Sequence, residues 1–287
     1  ESIENKIVKD TFFKGLTTPT YSTLVTMMNE GGYQKYFMSA AYDLSRCLQE
    51  ILFSEFGIQP NLEEAPPFVD AMTPIPYVGE DGLESLLVGQ TEITQGLYQY
   101  VMGNNPSNFK GSDDLPVEEV SWFDLLEFCN KLSEMQGFRP CYYAIVADEQ
   151  GSAKWDRSAN GYRLLSEDEW EYIANANRDF KYSGSRSVDE VAWWNDNSGR
   201  KTRDVGTKKE NSFGTYDQSG NVFEWCWDLP YESIRESRVI RGASWSVNAS
   251  GTRVGHSRSS AHAIFQGYGV GGRLSRSPDP TEPLLNP

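Results

Sequence analysis

Twenty-five glycines and 14 prolines punctuate the 287 residues. That density of turn formers leaves little room for long regular elements, so most of the chain must fold as short strands and compact helices joined by irregular loops. One stretch differs. Phe37, Ala40, Ala41, Leu44, Leu48, Ile51 and Leu52 recur every three or four residues, which predicts helix over residues 21–57. The run Asn61-Leu-Glu-Glu-Ala-Pro-Pro67 then ends it, because adjacent prolines lack N–H groups and exclude helical geometry before them. The expected organisation is a helical region and linker over 1–67, a turn-rich domain over 68–277 and a disordered Pro-rich tail over 278–287.

Inside the second region two helices carry their own start signals. Ser121-Trp-Phe-Asp124 is a capping-box-like pair ahead of a stripe formed by Leu125, Phe128, Cys129 and Leu132. Ser166-Glu-Asp-Glu169 is a full box ahead of Trp170, Ile173 and Ala174. Gly161–Leu165, Arg238–Arg241 and Gly272–Leu274 are strand candidates. Eight Trp, 15 Tyr and 14 Phe supply large buried areas to such an α+β core.

Charge is unevenly spread. The chain has 26 Lys and Arg against 41 Asp and Glu, a net charge of −15. Residues 238–277 nevertheless hold six arginines (Arg238, Arg241, Arg253, Arg258, Arg273, Arg276) and no Lys, Asp or Glu. An acidic body repels phosphate backbones, so nucleic acid is not an expected partner. No apolar run is long enough to span a membrane. The chain begins at Glu1, which fits a removed leader or lipid anchor. The four cysteines, Cys47, Cys129, Cys141 and Cys226, form no CxxC and flank no histidine, so small buried thiols are expected rather than zinc. The disulfide state of Cys129 and Cys141 stays open.

Five ordered motifs carry a family resemblance: Val88-Gly-Gln-Thr-Glu-Ile-Thr-Gln95, Leu115-Pro-Val-Glu-Glu-Val-Ser-Trp122, Gly161-Tyr-Arg-Leu-Leu-Ser-Glu-Asp-Glu-Trp-Glu171, Ser219-Gly-Asn-Val-Phe-Glu-Trp225 and Arg238-Val-Ile-Arg-Gly-Ala-Ser-Trp245. Together they resemble the formylglycine-generating-enzyme (sulfatase-modifying factor) domain, a variant of the C-type-lectin fold. The resemblance does not fix function, because the family contains enzymes and binders. Copper-dependent members place two redox thiols after the Gly-Ser-Trp turn. The matching stretch here, Ser246–Arg253, has no cysteine, and no soft ligand for copper stands there. Iron-dependent members use a histidine-rich site, whereas this chain has only His256 and His262. The resemblance therefore implies a non-enzymatic protein, with an oxidase of altered site as the alternative and an inert structural lipoprotein as a third class.

The same segment resembles the variable region of proteins diversified by a retroelement, among them treponemal surface lipoproteins. Ordinary family members are rich in asparagine between the Gly-Ser-Trp turn and the closing strand; only Asn248 remains here. An asparagine codon randomised at its first two bases cannot become Lys, Glu, Gln, Met or Trp; the segment has no Lys, Glu or Met, and its single Trp245 and single Gln266 are then fixed positions. The implied variable region is about 243–272. Its candidate ligand-binding positions are Ala243, Ser246, Val247, Gly251, His256, Arg258, Ser259, Ser260, His262, Phe265 and Tyr268. Mixed aromatic, small and cationic residues are what binding surfaces favour. Arg238, Arg241, Arg253 and Arg273 follow the family pattern and are expected to be structural, which leaves Arg258 as the arginine available to a ligand. The implied partner is a protein or glycan on another cell, and the implied location is the cell surface, as an outer-membrane lipoprotein. No cofactor is required. Asp217, Gly220, Val222 and Glu224 fall where the enzymes hold calcium, so either Ca²⁺ binds there or Asp217 caps a turn and Glu224 pairs with an arginine.

Overall fold

The computed structural model describes residues 72–79, 82–147, 152–231 and 234–278. The chain divides into two units between Leu62 and Glu63, within the proline-terminated stretch. The helix expected over 21–57 and most of the tail lie outside the described residues.

The described region is α+β. Strands β1 (Met72–Gly79) and β2 (Gly82–Gly89) form an antiparallel hairpin. Helices α1 (Gln95–Met102) and α2 (Trp122–Met135) follow, then the hairpin of β3 (Tyr142–Val146) and β4 (Ser152–Trp155). After β5 (Tyr162–Arg163) come α3 (Glu167–Asn175), the single turn α4 (Val188–Val191), β6 (Phe223–Trp225) and β7 (Ser237–Arg241). The chain closes with β8 (Ser259–His262), β9 (Val270–Gly271) and β10 (Ser275–Arg276). Two four-stranded sheets result, ordered β1-β2-β10-β5 and β8-β7-β6-β9.

Local chemistry sets the helix ends. Ser121 and Asp124 exchange hydrogen bonds (2.8 and 3.1 Å) across the first turn of α2, and Ser166 and Glu169 do the same for α3 (2.8 and 3.2 Å). α1 stops at Gly103, whose φ of +83° needs a residue without a Cβ. The helices bury their apolar stripes: Leu125, Leu126, Phe128, Cys129 and Leu132 on α2, Trp170, Ile173 and Ala174 on α3. Two indoles pin α2 to β6. Trp122 Nε1 donates to the Cys226 carbonyl and Trp225 Nε1 to the Val120 carbonyl, both at 3.0 Å. These bonds satisfy polar atoms that would otherwise be buried unpaired.

Gly272–Leu274 is not a strand. The flanking residues belong to β9 in one sheet and β10 in the other, so these three residues are the crossing between sheets. Their backbone serves the loop after β2: the Leu274 carbonyl accepts from Gly89 N–H (2.9 Å) and the Gly272 carbonyl from Ile93 N–H (2.8 Å). The crossing is tight. A Cβ on Gly271 would lie 2.3 Å from the Val117 carbonyl oxygen, which only glycine avoids.

Removing the α3 cap by Ser166→Ala is expected to lower unfolding free energy by about 1 kcal/mol. Urea denaturation with an unchanged slope checks it.

Candidate functional site

β7 runs through the middle of the second sheet, and its backbone parity decides what β8 presents. Val239 points both backbone groups towards the β6 side: its N–H donates to Asp228 and its carbonyl accepts from Cys226, each at 2.9 Å. Arg238 and Ile240 therefore face β8, opposite Ala261 and Ser259. By antiparallel alternation, Ser260 turns its N–H and C=O away from the sheet, and β8 is an edge strand. Beyond it the chain turns at Phe265, whose N–H donates to the His262 carbonyl (2.7 Å), and returns to β9.

The turn and the sheet enclose an open groove of about 480 Å³. Phe223, Ile240, Ala261 and Val270 line it, and Ser246, Ser260, His262, Phe265 and Tyr268 border it. Phe265 and Tyr268 are 47% and 54% exposed. A narrow set of bonds holds this rim. Trp245 Nε1 donates to the Tyr268 carbonyl (2.9 Å), Phe223 N–H to the Gly269 carbonyl (2.8 Å), and Gln266 Nε2 to Asp124 (3.0 Å). The side chains of Phe265 and Tyr268 are thus carried by a loop whose backbone is tied to the fold.

Five of the candidate positions meet at this groove. Ser259 is exposed on the same edge strand. Val247 and Gly251 pair with each other instead: a Cβ on Gly251 would come within 2.5 Å of Val247 Cγ1. His256 is exposed on a 3₁₀ turn (Val254–His256). Arg258 is ion-paired with Glu167 at 2.7 Å and donates to the Pro230 carbonyl at 3.2 Å, so it is not a free cation awaiting a ligand. Ala243 is a correction. It is fully buried with φ +67°, directly after Gly242, and contacts no ligand face. Codon logic could not see that burial. The sequence reading also missed the groove floor, although Phe223 carried a signal: it neighbours the inward-facing Glu224 on a strand, and alternation sends it to the opposite face.

Arg238, Arg241 and Arg273 of the segment point inward. Arg241 pairs with Glu167 and Glu171, each at 2.9 Å, and lies over the Trp170 ring. Arg238 sits 4.2 Å over the Trp122 ring and donates to the carbonyls of Arg235 and Ser237. Arg273 is fully buried. Its guanidinium grips Glu224 (2.7 Å) and the carbonyls of Gly89, Gln90 and Tyr216 (2.7–2.9 Å).

Glu224 thus pairs with an arginine, as one of the two readings of Asp217, Gly220, Val222 and Glu224 expects. Glu224 accepts from Arg273 through both oxygens and from Trp170 Nε1 at 2.7 Å, whereas Asp217 Oδ1 is buried without a hydrogen-bond partner. Asp217 bonds Gly206 N–H at 2.7 Å. Among the described residues no group of three or more His, Cys, Asp or Glu is arranged to hold a metal ion.

Glu92, Asp217 and Glu224 share one guanidinium. Burial, with the neighbouring carboxylates, holds the Glu92 carboxyl well above its usual range, and burial raises Asp217 to about 6. Cys129, Cys141 and Cys226 are free, buried thiols, raised further from thiolate by burial, Cys141 to about 11. None lines the groove.

With this geometry in place, similarity to known proteins becomes informative. The Sulfatase-modifying factor enzyme 1-like domain matches residues 6–278, a range that crosses the boundary expected at residue 67. The chain is 38% identical over 203 residues to Chaperone protein LppX of Paenibacillus barcinonensis, covering 58% of this chain and 72% of that protein. It is 27% identical over 151 residues to the Inactive C-alpha-formylglycine-generating enzyme 2 of Bos taurus, 48% of either chain. Treponema denticola variable protein 1 superposes with a TM-score of 0.65 at 33% identity, over 72% of this chain and 95% of that one. CarF shares the fold, with a TM-score of 0.61 at 23% identity over 72% and 98%.

Two outcomes follow from the buried charges. Arg273→Met should cost at least about 3–5 kcal/mol, because it strands Glu224 and three carbonyls without a donor. Asp217 keeps its proton in the fold at a pH where the unfolded chain loses it. Its contribution to stability is therefore present at low pH and lost as pH rises from the ordinary 3.8 to about 6. Denaturant titrations at pH 4 to 7 should show Asp217→Asn gaining stability relative to the parent across that window.

Proposed function

This chain belongs to the sulfatase-modifying factor enzyme 1-like domain family, and on that premise we propose that it is a non-enzymatic, surface-displayed variable receptor. Its ligand face is the groove and edge at Ser246, Ser259, Ser260, His262, Phe265 and Tyr268, diversified by a retroelement, and its anchor is a lipid.

One observation carries the reading. Within a single segment, Ser246, His256, Ser259, Ser260, Phe265 and Tyr268, all types a randomised asparagine codon can reach, stand exposed, while Arg241, Arg273 and Trp245 hold the scaffold. A rigid rim presenting aromatic and small side chains loses little conformational freedom on binding. The likeness to Treponema denticola variable protein 1 at 33% identity supports the diversification. Two relatives named as inactive formylglycine-generating enzymes, and the absence of a groove thiol, support the non-enzymatic part.

For the ligand, the outward N–H and C=O of Ser260 favour a polypeptide on another cell over a glycan, since an extended backbone completes a sheet edge. A relative named as a chaperone fits the same choice. The competing oxidase reading would require copper or iron retained in stoichiometric amounts and thiol oxidation of a peptide.

Sequencing this locus from several isolates tests the proposal. Substitutions confined to the exposed positions support it, and substitutions scattered over Arg241, Trp245 and Arg273 overturn it. For a peptide selected against the purified protein by phage display, Tyr268→Ala should weaken binding by more than tenfold, as for an interface hot spot. The melting temperature should stay within about 2 °C of the parent, because the side chain is exposed.

A further inference from the structure

Glu118 is a buried carboxylic acid that the ligand face does not touch, yet bonds lead from it to the groove rim along two routes. Its side chain is 0% exposed. One oxygen accepts the Phe109 N–H at 2.7 Å, and the other has no partner. Its own N–H donates to Ser107 Oγ at 3.1 Å, so Glu118 closes the 107–109 loop against its own strand of chain.

From Phe109 the first route continues through packing. The Phe109 ring meets Trp245 edge-on, with centroids 5.5 Å apart, and Trp245 Nε1 holds the Tyr268 carbonyl. The second route starts one residue on. Glu119 adopts a left-handed conformation (φ +58°) that aims its N–H at the Gly267 carbonyl, 3.2 Å away. The loop carrying Phe265 and Tyr268 is therefore braced at Gly267 and at Tyr268, and both braces lead back to Glu118.

We infer that Glu118 is a proton-controlled anchor of the ligand loop: protonated, it holds residues 265–269 in place, and deprotonated, it releases them. This regulation rests on the groove being the ligand face. The physical reason is the unpartnered oxygen. The N–H groups of Phe109 and Asn108 favour the anion, but burial outweighs them: with Oε2 unpartnered, a neutral carboxyl tolerates the dry site, whereas a carboxylate needs further donors or water, which opening the 107–109 loop admits. The charged groups that bear on it are few. Lys110 favours the anion but donates its ammonium to the Asn105 carbonyl at 3.0 Å, and Glu119 disfavours it. Burial raises the carboxyl to about 7, which places the transition near neutral pH. Because the closed form keeps the proton, closure is complete below the ordinary carboxylate range and is lost as pH rises through 7.

The test uses the full chain labelled with 5-fluorotryptophan, with the Trp245 resonance assigned by Trp245→Phe and followed by ¹⁹F NMR from pH 5.5 to 8.5. A sigmoidal shift centred near 7 is expected in the parent. It should vanish in Glu118→Gln, which stays closed, and persist in His262→Asn, which removes the titratable group lining the groove. Phe109→Leu keeps Glu118 but breaks the ring contact, and should also silence Trp245; it serves if Glu118→Gln does not fold. A shift that survives both Glu118→Gln and Phe109→Leu, disappears in His262→Asn, or is absent from the parent overturns the inference. The readout needs no ligand, so a titrating Trp245 without any binder would sink the receptor reading alone. Conversely, a phage-selected peptide should bind about tenfold more weakly at pH 8 than at pH 6, and equal binding at both contradicts the regulation.

Discussion

The fold depends on one buried cation. Arg273 lies where the chain crosses from β9 to β10, and its guanidinium joins the end of β2, the loop at Tyr216 and Glu224 of β6. Glu224 extends the connection to α3 through Trp170. Breaking such a pair costs about 3–5 kcal/mol because the remaining charge is left in a dry interior, which is a large fraction of any domain's stability. Burial first, and the neighbouring carboxylates with it, hold the Glu92 and Asp217 carboxyls above their ordinary range, against the lowering effect of Arg273.

From that hub the C-terminal segment divides by depth. Arg241 and Arg273 are spent on carboxylates of the acidic body, and Arg238 on carbonyls and an indole face. Side chains between them, on β8 and the 265–269 loop, contribute little to the interior. A substitution there changes stability by about 0.5 kcal/mol or less, whereas one at the arginines removes a buried partner. That difference in cost allows a face to change without loss of the scaffold. The +6 segment on its acidic body is thus internal glue rather than an anion-binding patch.

How much of this could be read from the residues follows the range of the interaction. Caps were legible because Ser121 with Asp124, and Ser166 with Glu169, act within four residues. The structural role of the arginines was legible as well, through the family pattern and the acid excess, although Arg258 proved to be paired with Glu167. The strand expected at Gly272–Leu274 failed because its backbone partners are Gly89 and Ile93, about 180 residues earlier. Ala243 failed for a similar reason: codon reasoning gives which residues can vary, and only the tertiary fold says which of them see solvent. The groove floor, built from four strands, had no local signature beyond the parity of Phe223.

The central claim is that the ligand face is energetically uncoupled from the core that carries it. The direct measurement is the folded fraction of a library randomised together at Ser246, Ser259, Ser260, His262, Phe265 and Tyr268, scored by protease resistance against a matched library at Arg241, Trp245 and Arg273. The account predicts that most members of the first library resist protease like the parent and few of the second do. A first library that is mostly unfolded would contradict it.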